Sequence, residues 1–182
     1  MLIGITGKAG AGKDTVAEYL WRKRGFVRIA FADPLKRAVQ EIFGLSDEQT
    51  WGRGHKEVPV HYWGMSPRRM MQLLGTDCIR KQFGGDVWVK RWVLSYKLVS
   101  ETDCVVVPDV RFVEEADAIR RNGGKVIRIS RGAENGLGDE AKRHESEMGL
   151  PDEYVSHTIS NDGSFDDLYE KIEAWLACSV AK

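Results

Sequence analysis

Cysteine is scarce in this sequence. Of 182 residues, three are cysteines, Cys78, Cys104 and Cys178, with no CxxC pair and no histidine-rich spacing around them. An odd, scattered set of thiols excludes a disulfide framework and a zinc site. Free cysteines pack as small hydrophobes and suit a reducing compartment. An excess of charge of one sign is also missing, since 27 basic residues balance 27 acidic ones and the net charge is zero. Proteins that coat long nucleic acid carry a basic excess, so no long nucleic acid is expected as a partner. No apolar run approaches the roughly 18 residues that a membrane span requires. Met1 to Thr6 leads straight into a glycine-rich stretch, so no signal-peptide pattern is read there. The expectation is a cytoplasmic protein with no membrane segment. Linkers, repeats and low-complexity tracts are lacking too, which suits one domain that buries about 70% of its unfolded surface.

What remains is an alternation of short apolar runs with helical patterns. Strands are expected at 2–5, 26–31, 104–107, 125–130 and 157–160. Helices are expected at 15–24, from Asp33-Pro34 to Phe43, from Ser66-Pro67 to about Phe83, at 86–101, at 114–122 and from Ser164 to about Cys178. On the first helix Val16, Ala17, Leu20 and Trp21 form the apolar face, and on the second Leu35, Ala38, Val39, Ile42 and Phe43 do. Asp33 suits the N-cap and Pro34 the first helical position. The stretch 46–64, rich in glycine and tryptophan, reads as a mobile insert. Five strands interleaved with helices predict an α/β fold, a five-stranded parallel sheet with helices on both faces.

The most specific signal is Gly7-Lys8-Ala9-Gly10-Ala11-Gly12-Lys13-Asp14-Thr15, a GxxxxGK loop between a strand and an amphipathic helix. Glycines let the backbone fold into a nest of N–H groups around a phosphate. The helix that follows adds its positive end, and Lys13 reaches the β- and γ-phosphates of a bound nucleotide. Gly7, Ala9, Gly10, Ala11, Gly12, Lys13, Asp14 and Thr15 are therefore the candidate ATP-binding residues. Asp14 stands where Ser or Thr usually ligates magnesium. A carboxylate there either binds the metal, directly or through water, or caps the helix.

A phosphoryl donor site implies an acceptor held in line and charge neutralised in the transition state. Asp33 follows the second strand, where ligands bind in such sheets, with Lys36 one turn later. On a regular helix Arg69, Gln72, Thr76 and Arg80 share one face, a polar stripe offering two guanidinium forks and an amide. Trp88 either stacks on a base or fills the core. Val105-Val106-Val107-Pro108-Asp109 is an apolar strand ending in a carboxylate, the position that holds magnesium in P-loop proteins, and Arg111 lies close by. Arg131 and Arg143 flank a polar segment, 131–150, that reads as a lid bringing arginine to the phosphoryl group.

The chain resembles the bacteriophage deoxynucleoside monophosphate kinases. The resemblance rests on the GKD form of the loop, Phe31-Ala32-Asp33-Pro34-Leu35-Lys36, Gln72-x-x-Gly75-Thr76 with Arg80, Trp88, Asp109-Val110-Arg111-Phe112 and His144-x-Ser146-Glu147, in that order. The GKD loop also occurs in animal-type phosphomevalonate kinases, so other small phosphorylated acceptors, dephospho-coenzyme A among them, stay open, as does a nucleotide-dependent switch. Guanine-selective switches carry an NKxD-like motif, of which Asn161-Asp162 is only a loose echo. The resemblance implies conversion of ATP and a deoxynucleoside monophosphate to ADP and the diphosphate, with Mg²⁺ as cofactor. It implies that Asp33, Lys36, Arg69, Gln72, Thr76, Arg80 and Trp88 line the acceptor site. It implies that Arg111, Arg131 and Arg143 meet phosphates; with Lys13 from the loop these are the candidate catalytic residues, and Asp14 and Asp109 are the candidate metal ligands. The implied organisation is one domain over 1–182, with a core at 1–44 and 103–182, an acceptor-binding helical insert at about 45–102 and a lid at about 131–150. Many small kinases are homodimers, though no apolar stripe in this chain demands it.

Overall fold

Strand β1 (Leu2–Thr6) is buried along its whole length, as a central strand of a parallel sheet covered on both faces is. Such a strand carries apolar residues without alternation, as Leu2-Ile3-Gly4-Ile5 does. The computed structural model describes residues 1–52, 54–99, 101, 103–132 and 149–180. Among them the chain forms two compact units, one of residues 1–30 with 93–182 and the other of residues 31–92.

The first unit holds the sheet. Its strands are β1, β2 (Val27–Arg28), β3 (Val105–Val107), β4 (Lys125–Ser130) and β5 (His157–Ser160), in the order β2-β3-β1-β4-β5, all parallel. The expected five-stranded parallel sheet is therefore present among the described residues. The registers Ile3↔Val106 and Ile5↔Ile127 align the strands so that their carboxyl ends finish on one edge. β1 leaves toward β2 on one side and β4 leaves toward β5 on the other, the topological switch at which ligands bind in open α/β sheets.

Successive side chains of β1 point to opposite faces. Ile3 and Ile5 join Val106, Ile127, Ile129 and Ile159 beneath Val16, Ala17 and Leu20 of α1 (Lys13–Arg24) and Leu168, Ile172 and Leu176 of the last helix (Phe165–Val180). On the other face Gly4 lies against Val110, Val126 and Ile119 of the helix Val113–Arg121, where a methyl group at position 4 would stand 2.9 Å from the Val110 side chain. Trp21 does not join the α1 face: it is half exposed, with Arg22 over its ring.

The second unit is helical. It contains α2 (Asp33–Phe43), α3 (Asp47–Thr50) and α4 (Pro67–Gln72), followed by a π-helical stretch Leu73–Arg80 and the short α5 (Lys81–Phe83). α6 (Val87–Tyr96) leads out of it, and in chain order α7 is Val113–Arg121 and α8 is Phe165–Val180. Val39, Leu45 and Met70 form its core, with Leu35, Phe43, Val60, Met71 and Leu74 packed around them. Ile42 is exposed rather than part of that face. This unit starts at Phe31, earlier than the insert expected from residue 45, because α2 packs on α3, α4 and the π-helical turn. Among the described residues of 46–64, Ser46 caps α3 through a reciprocal pair with Gln49, and Trp63 donates its indole N–H to Phe43 O at 3.0 Å.

Burial separates two substitutions. Ile127→Ala, at a fully buried position, is expected to lower the unfolding free energy by about 2–5 kcal/mol without changing the denaturant slope. Trp21→Ala on the exposed side of α1 is expected to stay within about 0.5 kcal/mol of the parent. Urea unfolding followed by circular dichroism measures both.

Candidate active site

The loop between β1 and α1 owes its path to three glycines. Gly7, Gly10 and Gly12 take φ of 142°, 77° and 105°, conformations that side chains resist. At Gly7 the limit is also steric, because a Cβ there would stand 2.3 Å from the Ile129 carbonyl oxygen of β4. The loop thus lies directly on the sheet edge, and α1 begins at its end with Lys13. Lys13 Nζ donates to Gly7 O at 2.7 Å and Lys8 O at 2.8 Å, folding the ammonium back over the loop. The Ala11 N–H closes a turn onto Lys8 O at 3.2 Å. Asp14 is exposed in the first turn of α1, and no side chain caps that helix by a hydrogen bond. Of the two roles open to Asp14, metal binding and capping, direct capping is therefore removed. A carboxylate in the first turn still favours the helix dipole. Thr15 is half-buried one residue on.

The neighbouring loops leave the same edge. After β3, Pro108 and Val110 are buried while Asp109 and Arg111 are half-buried. The turn is held from below by Glu115, the third residue of α7, which is 4% exposed. Its Oε2 accepts the N–H groups of Arg111 at 2.7 Å and Phe112 at 3.1 Å. Burial, and then the negative charge of Asp109, push the Glu115 carboxyl up to about 8. Sequence reasoning missed Glu115. Its signal was a glutamate three residues into a helix that starts straight after a strand-end turn, the spacing at which a carboxylate reaches back to helix-start amides. Arg131 follows β4 and is exposed. Arg143, His144, Ser146 and Glu147 lie outside the described residues, as does most of the expected lid.

The acceptor candidates belong to the helical unit. Asp33 is the first residue of α2, not its N-cap, which is Ala32, and no side chain caps this helix. Lys36 Nζ lies 3.9 Å from Asp33 Oδ1, with both side chains mostly buried, and 5.6 Å above the Trp51 ring. Arg69, Gln72, Thr76 and Arg80 do not sit on one regular helix. The chain widens into π-helix at Leu73, so that the Lys81 N–H reaches back five residues to Thr76 O. Nor is the stripe solvated: Thr76 and Arg80 are buried and Arg69 and Gln72 half-buried. Gln72 Nε2 is buried with no hydrogen-bond partner among the described residues, a cost of about 1–3 kcal/mol unless a ligand supplies an acceptor. Trp88 donates its indole N–H to Gly75 O at 3.0 Å, which fixes the ring edge-on to the π-helical turn. π-helical turns are rare and concentrate at functional sites.

The residues fit a magnesium nucleotide. Magnesium is commonly held by one or two carboxylates together with substrate phosphates. Asp14 and Asp109 can supply such a pair, and the described residues contain no group of three or more acidic, histidine or cysteine side chains that would bind a metal alone.

The Glu115 carboxyl sets a pH dependence. Its folded-state value lies above the ordinary 4.5, so the folded protein holds the proton more tightly than the unfolded chain. The stabilisation is complete below about 4.5 and is lost as pH rises toward about 8. Glu115→Gln keeps an acceptor for the two amides and cannot ionise. In magnesium-free buffer the variant is expected to gain on the parent progressively between those values, by up to about 1.4 kcal/mol per pH unit. Equal pH profiles of thermal unfolding would remove the buried-carboxyl account.

A profile of the deoxynucleotide monophosphate kinase family matches residues 56–172. A protein of Acanthamoeba polyphaga mimivirus, provisionally named deoxynucleotide monophosphate kinase, is 41% identical over 143 residues, 72% of this chain and 74% of its own length. The deoxynucleotide monophosphate kinase of Enterobacteria phage T4 is 40% identical over 113 residues, 61% of this chain and 45% of that protein. The chain therefore spans less than half of that longer relative. Among solved structures, one from Thermus thermophilus aligns with a TM-score of 0.56 at 24% identity, covering 97% of this chain and 96% of that one. Dephospho-CoA kinase from Campylobacter jejuni aligns with a TM-score of 0.55 at 18% identity, covering 97% and 95%. These two establish a shared fold only. No described helix is long and apolar enough to cross a membrane. With its phosphate loop, its sheet order and these matches in sequence, the chain belongs to the deoxynucleotide monophosphate kinase family.

Proposed function

We propose that this chain transfers the γ-phosphoryl group of ATP to a deoxynucleoside 5′-monophosphate, yielding ADP and the diphosphate. The observation that carries the proposal is the glycine loop of residues 7–13, closed by Lys13, in a chain of this family. The loop amides and the N-terminus of α1 cradle the β-phosphate, and Lys13 moves from Gly7 O and Lys8 O onto the β- and γ-oxygens. Asp14 and Asp109 would hold Mg²⁺, which would supply charge neutralisation on the transferring group. Arg111 and Arg131 leave the same sheet edge and take up charge on the phosphates. Arg143 is assigned the same task on sequence grounds alone.

The helical unit is the proposed acceptor site. The arginine forks of Arg69 and Arg80 suit a phosphate, Asp33 with Lys36 suits the sugar-phosphate, and Thr76 adds a hydroxyl. The buried amide of Gln72 supports recognition of a base edge, since an acceptor on the base satisfies the nitrogen that the protein leaves unpaired. Trp88, anchored at its ring nitrogen, offers a face for stacking. The acceptor phosphate is already an anion, so positioning and charge neutralisation supply the catalysis and no general base is required.

ADP production with ATP, Mg²⁺ and each deoxynucleoside monophosphate in turn tests the assignment. Stimulation by one or more is expected, and stimulation by none would sink it. Lys13→Ala is expected to abolish turnover, and a near-normal rate would contradict the role of the loop. Asp33→Asn is expected to raise the KM for the acceptor and leave that for ATP unchanged. Gln72→Ala should raise the acceptor KM about tenfold, the loss of one hydrogen bond to a buried group. A base-free phosphorylated acceptor that is used well and ignores this substitution would favour the phosphomevalonate type of reaction.

A further inference from the structure

Asn161 has no part in the reading above, yet its side chain bonds to the phosphate loop across 150 residues of sequence. It follows β5 and is only 4% exposed. Its backbone N–H donates to Ser130 O at 2.7 Å, which continues the β4–β5 ladder. Its side-chain Nδ2 donates to Ala11 O at 2.8 Å, a buried bond across 150 residues of sequence. A carbonyl oxygen only accepts, so chemistry fixes which end of the amide faces it. The same nitrogen stands 2.4 Å from the place a Cβ on residue 12 would occupy. The amide is thus fitted against Gly12 with no room for a side chain between them.

We infer that Asn161 is a positioning residue for the phosphate loop, holding the Ala11–Gly12 peptide in the orientation that binds phosphate. The C=O and N–H of a trans peptide point in opposite directions. Anchoring the Ala11 carbonyl on Asn161 therefore turns the Gly12 N–H away from Asn161. This peptide needs an external anchor because φ of Gly12, at 105°, belongs to a residue that no side chain restrains. Rotation of the unanchored peptide would aim a carbonyl oxygen where an amide hydrogen is wanted and repel the phosphate. The loop after β5 is itself tied down. Asp162 Oδ1 accepts the Gly132 N–H at 2.8 Å, and Ser164 and Asp167 cap α8 reciprocally. Asn161 therefore holds Ala11 from a fixed support.

The inference rests on the phosphate-loop reading, so its test measures nucleotide binding directly rather than turnover. Calorimetric titration of MgADP into Asn161→Ala is expected to show Kd raised at least tenfold over the parent. Asn161→Asp, which loses the donor and adds negative charge near the phosphates, is expected to lose more. The KM for the acceptor should stay within twofold in both. A role confined to fold stability would instead lower Tm and leave Kd unchanged, and a Kd within twofold of the parent in folded Asn161→Ala overturns the inference. If that variant does not fold, the ¹⁵N-labelled parent decides. Side-chain amide protons of Asn161 that exchange slowly and shift on MgADP addition support it, and protons that exchange at the free rate and do not shift overturn it. A parent protein that binds no MgADP removes the phosphate-loop reading itself, a failure seen before any variant is compared.

Discussion

The contact on which the site depends is the seating of the glycine loop against β4. The Gly7 Cα faces the Ile129 carbonyl so closely that no side chain fits. This brings the loop onto the sheet edge rather than into solvent. Neighbouring strands of a sheet lie only about 4.7–4.9 Å apart, and β1 and β4 pair through Thr6↔Arg128, up to the last residue of β1. The turn that follows has nowhere to go but over its neighbour. From that position α1 inherits its starting point, Lys13 its reach, and the turns after β3 and β5 their common rim.

Where one physical signal dominated, the sequence was informative. Buried parallel strands read as unbroken apolar runs, and Leu2 to Ile5 and Val105 to Val107 were legible for that reason. Helix starts were legible where capping chemistry was local, as at Ser66-Pro67 and Ser164. The errors have equally specific causes. Trp21 and Ile42 sit at apolar-face spacing but are exposed, since periodicity does not say how wide the covered stripe is. The Asp-Pro pair suits a cap at Asp33, while the helix begins one residue sooner, at Asp33 itself. The π-helical turn left no sequence trace: nothing in Leu73-Leu74-Gly75-Thr76 announces an i→i+5 bond. Gly75 packs against Leu35, and its carbonyl is taken by Trp88, both tertiary facts.

Two site residues escaped because their work is indirect. Glu115 and Asn161 both act by gripping backbone, one on the amides after β3 and the other on the carbonyl of Ala11. Motif reading looks for side chains that touch a ligand, whereas these two bond to backbone. A buried carboxyl and a buried amide are costly unless fully bonded. In a loop-rich sheet edge, they are where the backbone's shape is enforced. The electrostatics agree, for burial and the charge of Asp109 push the Glu115 carboxyl up to about 8 and favour its neutral form. A single negative charge is then left on that turn instead of two.

The chain leaves the sheet-bearing unit after Ala30 and re-enters it at Val93. β2 pairs with β3 through Val27↔Val105, so these two neighbours are separated in sequence by the entire helical unit. In an unfolded chain, closing so long a loop costs conformational entropy before any pairing energy is returned. The core of the helical unit, Val39 with Leu45 and Met70, joins residues closer in sequence than the Val27↔Val105 pairing does, and less distant contacts form faster. Order in that unit shortens the effective tether between β2 and β3. The edge of the sheet is in this way kinetically subordinate to a segment that contributes no strand to it.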